Sequence, residues 1–145
     1  MEIRRYRDSD EAPVVRLWTE CELVRSWNDP RKDIRRKLTV QPELFLVGVL
    51  DGGLVATIMA GFDGHRGWVN YLAVAEGHRR RGLGRMLMQR VEDRLKDMGC
   101  PKLNLQVRSS NAAVLAFYER LGYAQDEAVS LGKRLISDER PSTGG

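Results

Sequence analysis

The amino-acid sequence predicts an α/β fold of the mixed α+β type, in which helices pack on one mixed sheet. Apolar residues recur at helical spacing in some segments and form strand-length runs in others. Two Gly-containing turns in the middle of the chain join three strands as hairpins. A strand–helix–strand order follows, which requires a parallel crossover. These observations predict the element order β-α-α-β-β-β-α-β-α-β-β and argue against a doubly wound parallel sheet.

The N-terminal third of the sequence has one short strand followed by two helices. Val14, Leu17 and Trp18 fall on one face of the first helix, and Asp8 or Ser9 is expected to cap it. The predicted elements are a strand at residues 2–6, a helix at 10–24, a loop at 25–30 and a helix at 31–38.

The middle of the chain is predicted to be a meander of three strands. Residues 44–50 form an apolar run of strand length, and the Asp-Gly-Gly sequence at 51–53 is a strong hairpin turn. Residues 54–62 form the returning strand. A second turn at 63–67 leads into a third strand at 68–74, so each strand is expected to pair antiparallel with the next.

The C-terminal half begins with a helix whose apolar residues, such as Leu83 and Leu87, step by four. Ser110 or Asn111 is expected to cap a second helix after an alternating strand. The predicted elements are a helix at 82–98, a strand at 102–107, a helix at 112–121, and strands at 123–125 and 129–135.

Length and composition fit a single domain. The chain has 145 residues, 42% of them hydrophobic and 30% charged, so a full core needs no metal or disulfide staple. We predict a domain at residues 1–136 and a disordered tail at 137–145 that is polar and rich in Gly and Pro. Cys21 and Cys100 lack metal-site spacing, so no metal is expected. The absence of a membrane-length apolar run or a secretory signal favours a cytoplasmic protein with no membrane partner.

The densest motif is a Gly-rich basic loop between the strand ending at Val74 and the helix beginning at Gly82. A helix N-terminus presents unpaired N–H groups and a positive dipole end, which suits phosphate. Gly82 and Gly84 let the backbone approach an anion without a Cβ in the way. The arginines of this loop are Arg79, Arg80, Arg81 and Arg85, and they hold much of the formal net charge of +4.

Three interpretations of this loop compete. A Walker phosphate loop needs Lys and then Ser or Thr where Arg85 and Met86 stand, so we reject it. A dinucleotide-binding fingerprint needs Gly at the position of Leu87 and a place after the first strand of a parallel sheet, which disfavours it. A tight strand–helix turn with solvated arginines is the third interpretation, and the loop alone does not exclude it.

Two sequence blocks together resemble the GNAT family of N-acetyltransferases. The loop at residues 79–84 is similar to the family's Gln/Arg-x-x-Gly-x-Gly/Ala motif and follows a family-like strand at 71–74. Residues 111–123 are similar to its Asn-x-x-Ala-x-x-Phe-Tyr-x-x-x-Gly-Phe/Tyr block, at the expected distance. The resemblance covers residues 2–135 and extends to small stand-alone bacterial acetyltransferases. It implies a GNAT-like acyl-CoA N-acyltransferase fold.

The resemblance implies that acetyl-CoA is the cosubstrate and that its pantetheine arm lies where the strand ending at Val74 splays from the strand near Lys102. The backbone N–H near Leu72 would then face the thioester oxygen and stabilise the oxyanion. The loop would hold the pyrophosphate. The implied cofactor-binding residues are Leu72, Ala73, Val74, Arg79, Arg80, Arg81, Gly82, Leu83, Gly84, Arg85, Asn111 and Tyr118.

Tyr118 is the catalytic residue that the resemblance implies, as the acid that protonates the departing thiolate. A phenol with a pKa of about 10 can protonate a thiolate to which it is hydrogen-bonded. The alternative is that Tyr118 only lines the core, because Phe117 and Leu121 share its helix. Asn111 has two compatible roles, as a ligand of the pantetheine amides and as a helix N-cap.

No residue stands out as the general base. Several family members carry Glu where this sequence has Trp68. Asp63, His65 and Glu22 are candidates from the substrate-side loops, although a solvated turn or cap suits each of them. Asn70 and Tyr71 are nearby and polar but are poor bases at neutral pH. The loops at 23–30, which contains Trp27, and 63–68 are expected to shape the acceptor site.

We therefore predict acetyl transfer from acetyl-CoA to a primary amine by direct attack on the thioester. The acceptor is an unidentified small molecule or protein amine. A catalytically weak acetyl-CoA-binding or regulatory module is the alternative, because the Glu is missing. Nucleic-acid binding is not expected, because no stacking aromatics are interleaved with Arg79–Arg85. A homodimer through a sheet edge at residues 129–135 is a further prediction by analogy.

Overall fold

The computed structural model describes residues 1–139, and the predicted order of elements is confirmed up to the fourth helix. Most predicted bounds lie within a few residues of the observed ones. The elements are β1 (Glu2–Arg5), α1 (Glu11–Glu20), α2 (Pro30–Lys37), β2 (Phe45–Leu50), β3 (Gly53–Phe62), β4 (Gly67–Val74), α3 (Leu83–Asp97), β5 (Leu103–Leu105) and α4 (Ala112–Arg120).

One mixed sheet runs through the molecule in the order β1-β2-β3-β4-β5. The first four strands pair antiparallel, and the predicted hairpins account for the β2–β3 and β3–β4 pairs. β5 pairs parallel to β4, but only from Gly67↔Leu103 to Val69↔Leu105. β4 continues to Val74 with no partner on that side, so the two strands separate at this end of the sheet.

Two apolar layers hold helices on opposite faces of the sheet. On one face α1 and α2 pack through the fully buried Val14, Trp18 and Ile34. On the other face α3 packs through residues such as Leu87 and Val91, and α4 adds to the same cluster. Burial of a side chain of this size contributes about 1.5–3 kcal/mol, so these contacts fix both helical layers. The separated ends of β4 and β5 thus have a helical layer on each side.

The predicted cap and end of the first helix are wrong. Neither Asp8 nor Ser9 caps it, because a short 3-10 turn precedes the helix and Asp10 is its N-cap residue without a side-chain cap bond. The Asp10 carboxylate instead accepts two hydrogen bonds from Arg4, at 2.7 and 2.9 Å, and one from the Arg7 N–H. The helix ends at Glu20 rather than at residue 24.

The last two predicted strands are absent from residues 1–139, and β5 is shorter than predicted. Residues 123–125 and 129–135 contain no strand. Polar side chains of β5 and its flanks hold this segment instead: Lys102 and Asn104 bind Asp126 at 2.7 and 2.8 Å. Within residues 1–139, side-chain hydrogen bonds rather than a backbone ladder thus connect this segment to β5. The predicted dimer therefore lacks the strand edge on which it was based.

The C-terminal residues that follow fold back onto the helical layer formed by α1 and α2. Asp138 was predicted to lie in a disordered tail, but its side chain is fully buried between Arg36 and Arg134. It also accepts the Asp29 N–H at 3.0 Å. The rest of the predicted tail, residues 140–145, lies outside the described residues. Across residues 1–139, every helix is too short or too polar to cross a membrane.

Candidate active site

The separated ends of β4 and β5 open into a cleft of about 750 Å³. Residues 69–72 of β4 line one wall, and residues 105–108, from the end of β5 onward, line the other. Tyr118 and Val114 of α4 lie on the α3–α4 side of the sheet and reach into the same space. The cleft therefore exists because the parallel pairing stops at Val69.

A β-bulge shapes the β4 wall of the cleft. Tyr71 has a positive φ of 52°, and the pairing register with β3 shifts beside it. A left-handed conformation is uncommon for a bulky residue and needs support from its surroundings. Here the Tyr71 ring stacks on Trp18 with centroids 3.8 Å apart, and its carbonyl accepts the Thr57 hydroxyl at 2.9 Å. The bulge places Leu72 in the cleft wall.

Beyond the bulge, the backbone of β4 alternates between β3 and the open side. The Ala75 N–H donates to the Val55 carbonyl, and Ala73 pairs with Thr57, so the backbone hydrogen-bonding groups of both alanines point toward β3. Those of Val74 therefore point to the open side of the strand, and its carbonyl accepts hydrogen bonds from side chains there. Of the three predicted strand residues, Ala73 has its backbone engaged in the sheet rather than free for a ligand.

The loop before α3 has the backbone geometry of an anion site. Arg80 and Gly82 both have positive φ, at 66° and 76°, and Gly82 is the N-cap. No acidic residue lies in the first turn, and no side chain caps the helix. The first N–H groups of the helix and its dipole thus stay available for a negative ligand. Leu83 is buried, and Gly84 packs where a Cβ would lie 3.2 Å from the Phe117 ring.

The four loop arginines differ in their present partners. The Arg79 guanidinium donates to the Val74 carbonyl at 3.1 Å and to the Cys21 sulfur at 3.6 Å. Arg80, Arg81 and Arg85 are exposed, and they form no salt bridge within residues 1–139. Three cationic side chains are thus free to bind an anion beside the helix N-terminus.

Tyr118 lies where α4 meets the cleft. Its side chain is buried, with 8% of the residue exposed, and packs edge-on to Phe117 and Tyr123 at 5.0 and 5.7 Å. Burial raises the pKa of Tyr118 to about 12, so its hydroxyl stays protonated at neutral pH. Within residues 1–139 that hydroxyl makes no hydrogen bond, although Tyr118 lines the cleft. Tyr118 therefore both packs in the core and lines the cleft.

Asn111 caps α4, as the sequence predicts. Its side-chain oxygen accepts the Val114 N–H at 3.3 Å. Asn111 also lines the cleft, so its amide N–H₂ group remains available on that side.

The three predicted base candidates do not lie together. Asp63 accepts the N–H groups of His65 and Arg66, both at 2.7 Å, and these bonds hold the pKa of Asp63 below its usual range. This turn does not line the cleft, whereas Glu22 does. Trp68 is 39% exposed and lines a second cavity beside β5.

Only part of the predicted acceptor loop reaches the cleft. Leu23, Arg25 and Asn28 line it, but Trp27, which is 49% exposed, does not. The aromatic side chain of the predicted acceptor loop therefore lies outside this wall.

Sequence reasoning missed the contribution of α2. Asp33 lines the cleft, accepts the Tyr71 hydroxyl at 2.6 Å and accepts Arg36 at 3.0 Å. Lys37 lines the cleft too; burial lowers its pKa, and it donates to the Ala60 carbonyl. The only sequence signal was the charged composition of residues 30–37, which is equally typical of a solvated helix face.

Comparison with known proteins identifies the class of enzyme that this fold and cleft define. The sequence profile of the acetyltransferase (GNAT) family matches residues 12–123, which is most of the chain. The chain belongs to this family.

Relatives and a solved structure agree with that assignment. An acetyltransferase of Yersinia enterocolitica is 49% identical over 139 residues, covering 96% of this chain and 99% of that protein. An uncharacterized N-acetyltransferase of Yersinia pestis is 48% identical with the same coverage. The structure of Ard1 from Thermoplasma volcanium is 25% identical with a TM-score of 0.74, over 85% of this chain and 82% of that one. The chain is an N-acetyltransferase that carries out acyl transfer.

Proposed function

We propose that the enzyme transfers an acetyl group from acetyl-CoA to a primary amine by direct attack on the thioester. One observation carries this proposal: an open strand edge at Val74 runs directly into a loop that can bind phosphates. Coenzyme A needs both features, because it joins an amide-containing arm to a pyrophosphate. Acetyl-CoA supplies the acetyl group in an activated thioester.

The backbone and the arginines provide the binding groups. A pantetheine arm could pair with the edge of β4 as an added strand does, using the backbone of Leu72 and Val74. The N–H groups at the start of α3 would bind the pyrophosphate, together with Arg80, Arg81 and Arg85. The Leu72 N–H would donate to the thioester oxygen as negative charge develops on it.

Tyr118 supplies the proton donor at this strand edge. Its hydroxyl has no other hydrogen-bond partner among residues 1–139, and it stays protonated at working pH. It would donate a hydrogen bond to the departing sulfur, which stabilises the thiolate until that sulfur gains its proton. Asn111 would bind an amide of the pantetheine arm with its N–H₂ group.

Calorimetry and turnover together test this proposal. We expect acetyl-CoA to bind with an affinity that falls at high salt, because arginines bind its phosphates. Release of free CoA thiol should then depend on an added primary amine. Each amine in the panel is paired with its N,N-dimethyl derivative, which cannot form a neutral amide and should give no turnover. No binding of acetyl-CoA, or a release of thiol that is the same with and without a primary amine, would contradict the proposal.

The same experiment separates the enzyme from its alternative. A catalytically weak binding module would bind acetyl-CoA with unchanged affinity but release no thiol above the blank with any amine. The free hydroxyl of Tyr118 in the cleft favours the enzyme, because a module that only binds has no need for a proton donor at that place.

A further inference from the structure

Asp33 of α2 lines the cleft, although it belongs to no recognised sequence motif. We infer that Asp33 is the carboxylate that stabilises the attacking amine nitrogen and accepts its proton. This inference rests on the acetyl transfer proposed above. The carboxylate lines the cleft, and its side chain is 23% exposed, so a substrate can reach it.

Two hydrogen bonds fix the Asp33 carboxylate. One oxygen accepts the Tyr71 hydroxyl at 2.6 Å, and the other accepts the Arg36 guanidinium at 3.0 Å. Each oxygen has a second lone-pair direction for a further donor. Tyr71 is itself held by Trp18 and by the strained bulge, so the carboxylate is tied to the strand residue next to Leu72. A preorganised charge of this kind costs little reorganisation during reaction.

The two faces of the sheet define the direction of attack. Tyr118 lies in the apolar cluster on the α3–α4 face, whereas Tyr71 belongs to the cluster on the α1–α2 face. Both residues line the same cleft. An acetyl group held at the strand edge would thus have its proton donor on one face and Asp33 on the other. The amine would enter from the α1–α2 face.

Among the residues that line the cleft, the carboxylates are Glu22 and Asp33. Glu22 is exposed on a turn with a φ of 59°, and its carboxylate makes no hydrogen bond within residues 1–139. An exposed, unfixed carboxylate is screened by water and contributes little to a reacting centre. Asp33 is therefore the better candidate, and Glu22 is a natural control for it.

The proposed step balances as follows. The neutral amine nitrogen forms a bond to the carbonyl carbon and becomes positively charged, and the carbon–sulfur bond then breaks. The nitrogen proton passes to Asp33, directly or through one water, and then to solvent. The sulfur receives a proton from the Tyr118 hydroxyl, which regains one from solvent. Because positive charge develops only during attack, Asp33 stabilises the transition state more than the bound amine.

Other charged or titratable groups face this position from three elements. Arg36 lies on the same helix, Tyr71 on β4, and Asp138 and Arg134 on the C-terminal segment. Arg36 pairs with both Asp33 and Asp138, and Arg134 also pairs with Asp138, so two cations balance the two carboxylates. Replacement of Asp33 by Asn keeps an acceptor for Tyr71 and avoids a void.

The test compares Asp33→Asn with Glu22→Gln, which removes the same charge from the same cleft. With the amine that the wild type uses best, we expect Asp33→Asn to lower kcat about 100-fold, a typical contribution of a general base. The KM for the amine and the Kd for acetyl-CoA should stay within about twofold. Across primary amines of differing pKa, the rate should depend more steeply on amine basicity in Asp33→Asn. Glu22→Gln should lose far less kcat than Asp33→Asn, because the Glu22 carboxylate is exposed and makes no hydrogen bond within residues 1–139.

The outcomes distinguish this inference from the proposed function. If the wild type turns over and Asp33→Asn has the same kcat and the same dependence on amine basicity, the inference is overturned but the proposed function is not. An equal loss in Glu22→Gln also overturns it, because a general charge effect then explains the result. Acetyl-CoA binding without wild-type turnover of any amine overturns the proposed function and the inference with it. Because Asp33→Asn keeps an acceptor for the Tyr71 hydroxyl, its melting temperature should stay close to that of the wild type; Tyr71→Phe, which removes that hydrogen bond but keeps the carboxylate, measures what the bond itself contributes to stability.

Discussion

The Arg79 guanidinium donates a hydrogen bond from its Nε to the Val74 carbonyl at 3.1 Å. Arg79 belongs to the loop that would bind phosphates, and Val74 belongs to the strand edge that would bind the pantetheine arm. One side chain thus connects the two halves of the proposed cofactor site. A ligand that pairs with Val74 competes with Arg79 for the same carbonyl.

Replacement of Arg79 by Ala should therefore weaken acetyl-CoA binding less than replacement of Arg85 by Ala. The charge lost is the same, but Arg79 first has to give up its hydrogen bond to Val74, which is worth about 0.5–1.5 kcal/mol net. We expect a Kd change below about fivefold for Arg79→Ala and about tenfold for Arg85→Ala. Calorimetry at one salt concentration measures both. An equal or larger loss for Arg79→Ala would show that its contact with Val74 has no cost for binding.

Gly82→Val should weaken acetyl-CoA binding more than tenfold. Gly82 has a φ of 76°, and a β-branched residue is strained in that conformation by about 1–3 kcal/mol. The space around a Cβ at this position is open, so the effect arises from the backbone and from the ligand path rather than from a clash in the free protein. Gly82→Asn is the control, because Asn tolerates a left-handed φ. If Gly82→Val binds as the wild type does, the loop does not hold the pyrophosphate.

Asp138→Asn should lower the melting temperature at neutral pH. The difference in melting temperature between this variant and the wild type should become smaller in acid. Its contacts with Arg36 and Arg134 hold the pKa of Asp138 far below the ordinary value of about 3.9. A carboxyl group with a lowered pKa stabilises the folded state fully at a pH above its unfolded-state pKa. This stabilisation is lost progressively as the pH falls from there toward the folded-state pKa. Calorimetric scans from about pH 7 to pH 3 follow the difference between variant and wild type.

The control for Asp138 is Asp126→Asn. Asp126 lies in the same C-terminal segment, but its pair with Lys102 is nearly half exposed, so its loss should have little effect. A difference between Asp138→Asn and the wild type that stays constant down to about pH 3 would mean that the Asp138 charge does not stabilise the fold.

The sheet and its helices were predictable because each element carries its own periodic signal. The Asp-Gly-Gly turn at 51–53 and the apolar repeat from Leu83 to Leu95 determine local structure by themselves. The loop around Gly82 was also predictable, since a helix N-terminus after a Gly-rich turn has a defined physical role.

The bulge and the final strands depend on contacts that no local pattern shows. A positive φ at Tyr71 is stabilised by Trp18, which is far away in the sequence. The sequence at residues 129–135 predicts a strand, yet no strand forms there within residues 1–139, and the contacts of the preceding residues with β5 are side-chain bonds such as those of Asp126 to Lys102 and Asn104. Tertiary contacts override local preference at both places.

For the candidate site, the motifs predicted where the strand edge, the Gly-rich loop and Tyr118 lie, whereas no motif predicted the residues that α2 places in the cleft. Val74 and Tyr118 lie within motifs of fixed spacing, so their neighbourhood follows from the sequence. Asp33 and Arg36 belong to a short charged helix with no motif, and only the fold brings them to the bulge at Tyr71. A charged residue on a helix gives no sign in the sequence that it faces a cleft.

The central claim is that the cleft between β4 and β5 transfers an acetyl group with Tyr118 as the proton donor. The most direct measurement is kcat with the best primary amine, together with the Kd for acetyl-CoA, for the wild type, Tyr118→Phe and Tyr123→Phe. Tyr123 is the matched control: its ring packs on Tyr118, and its hydroxyl binds Glu92 rather than facing the cleft. We predict a kcat about 100-fold lower in Tyr118→Phe alone, with every Kd within about twofold. Equal kcat in Tyr118→Phe and the wild type, under conditions where chemistry limits the rate, would contradict it.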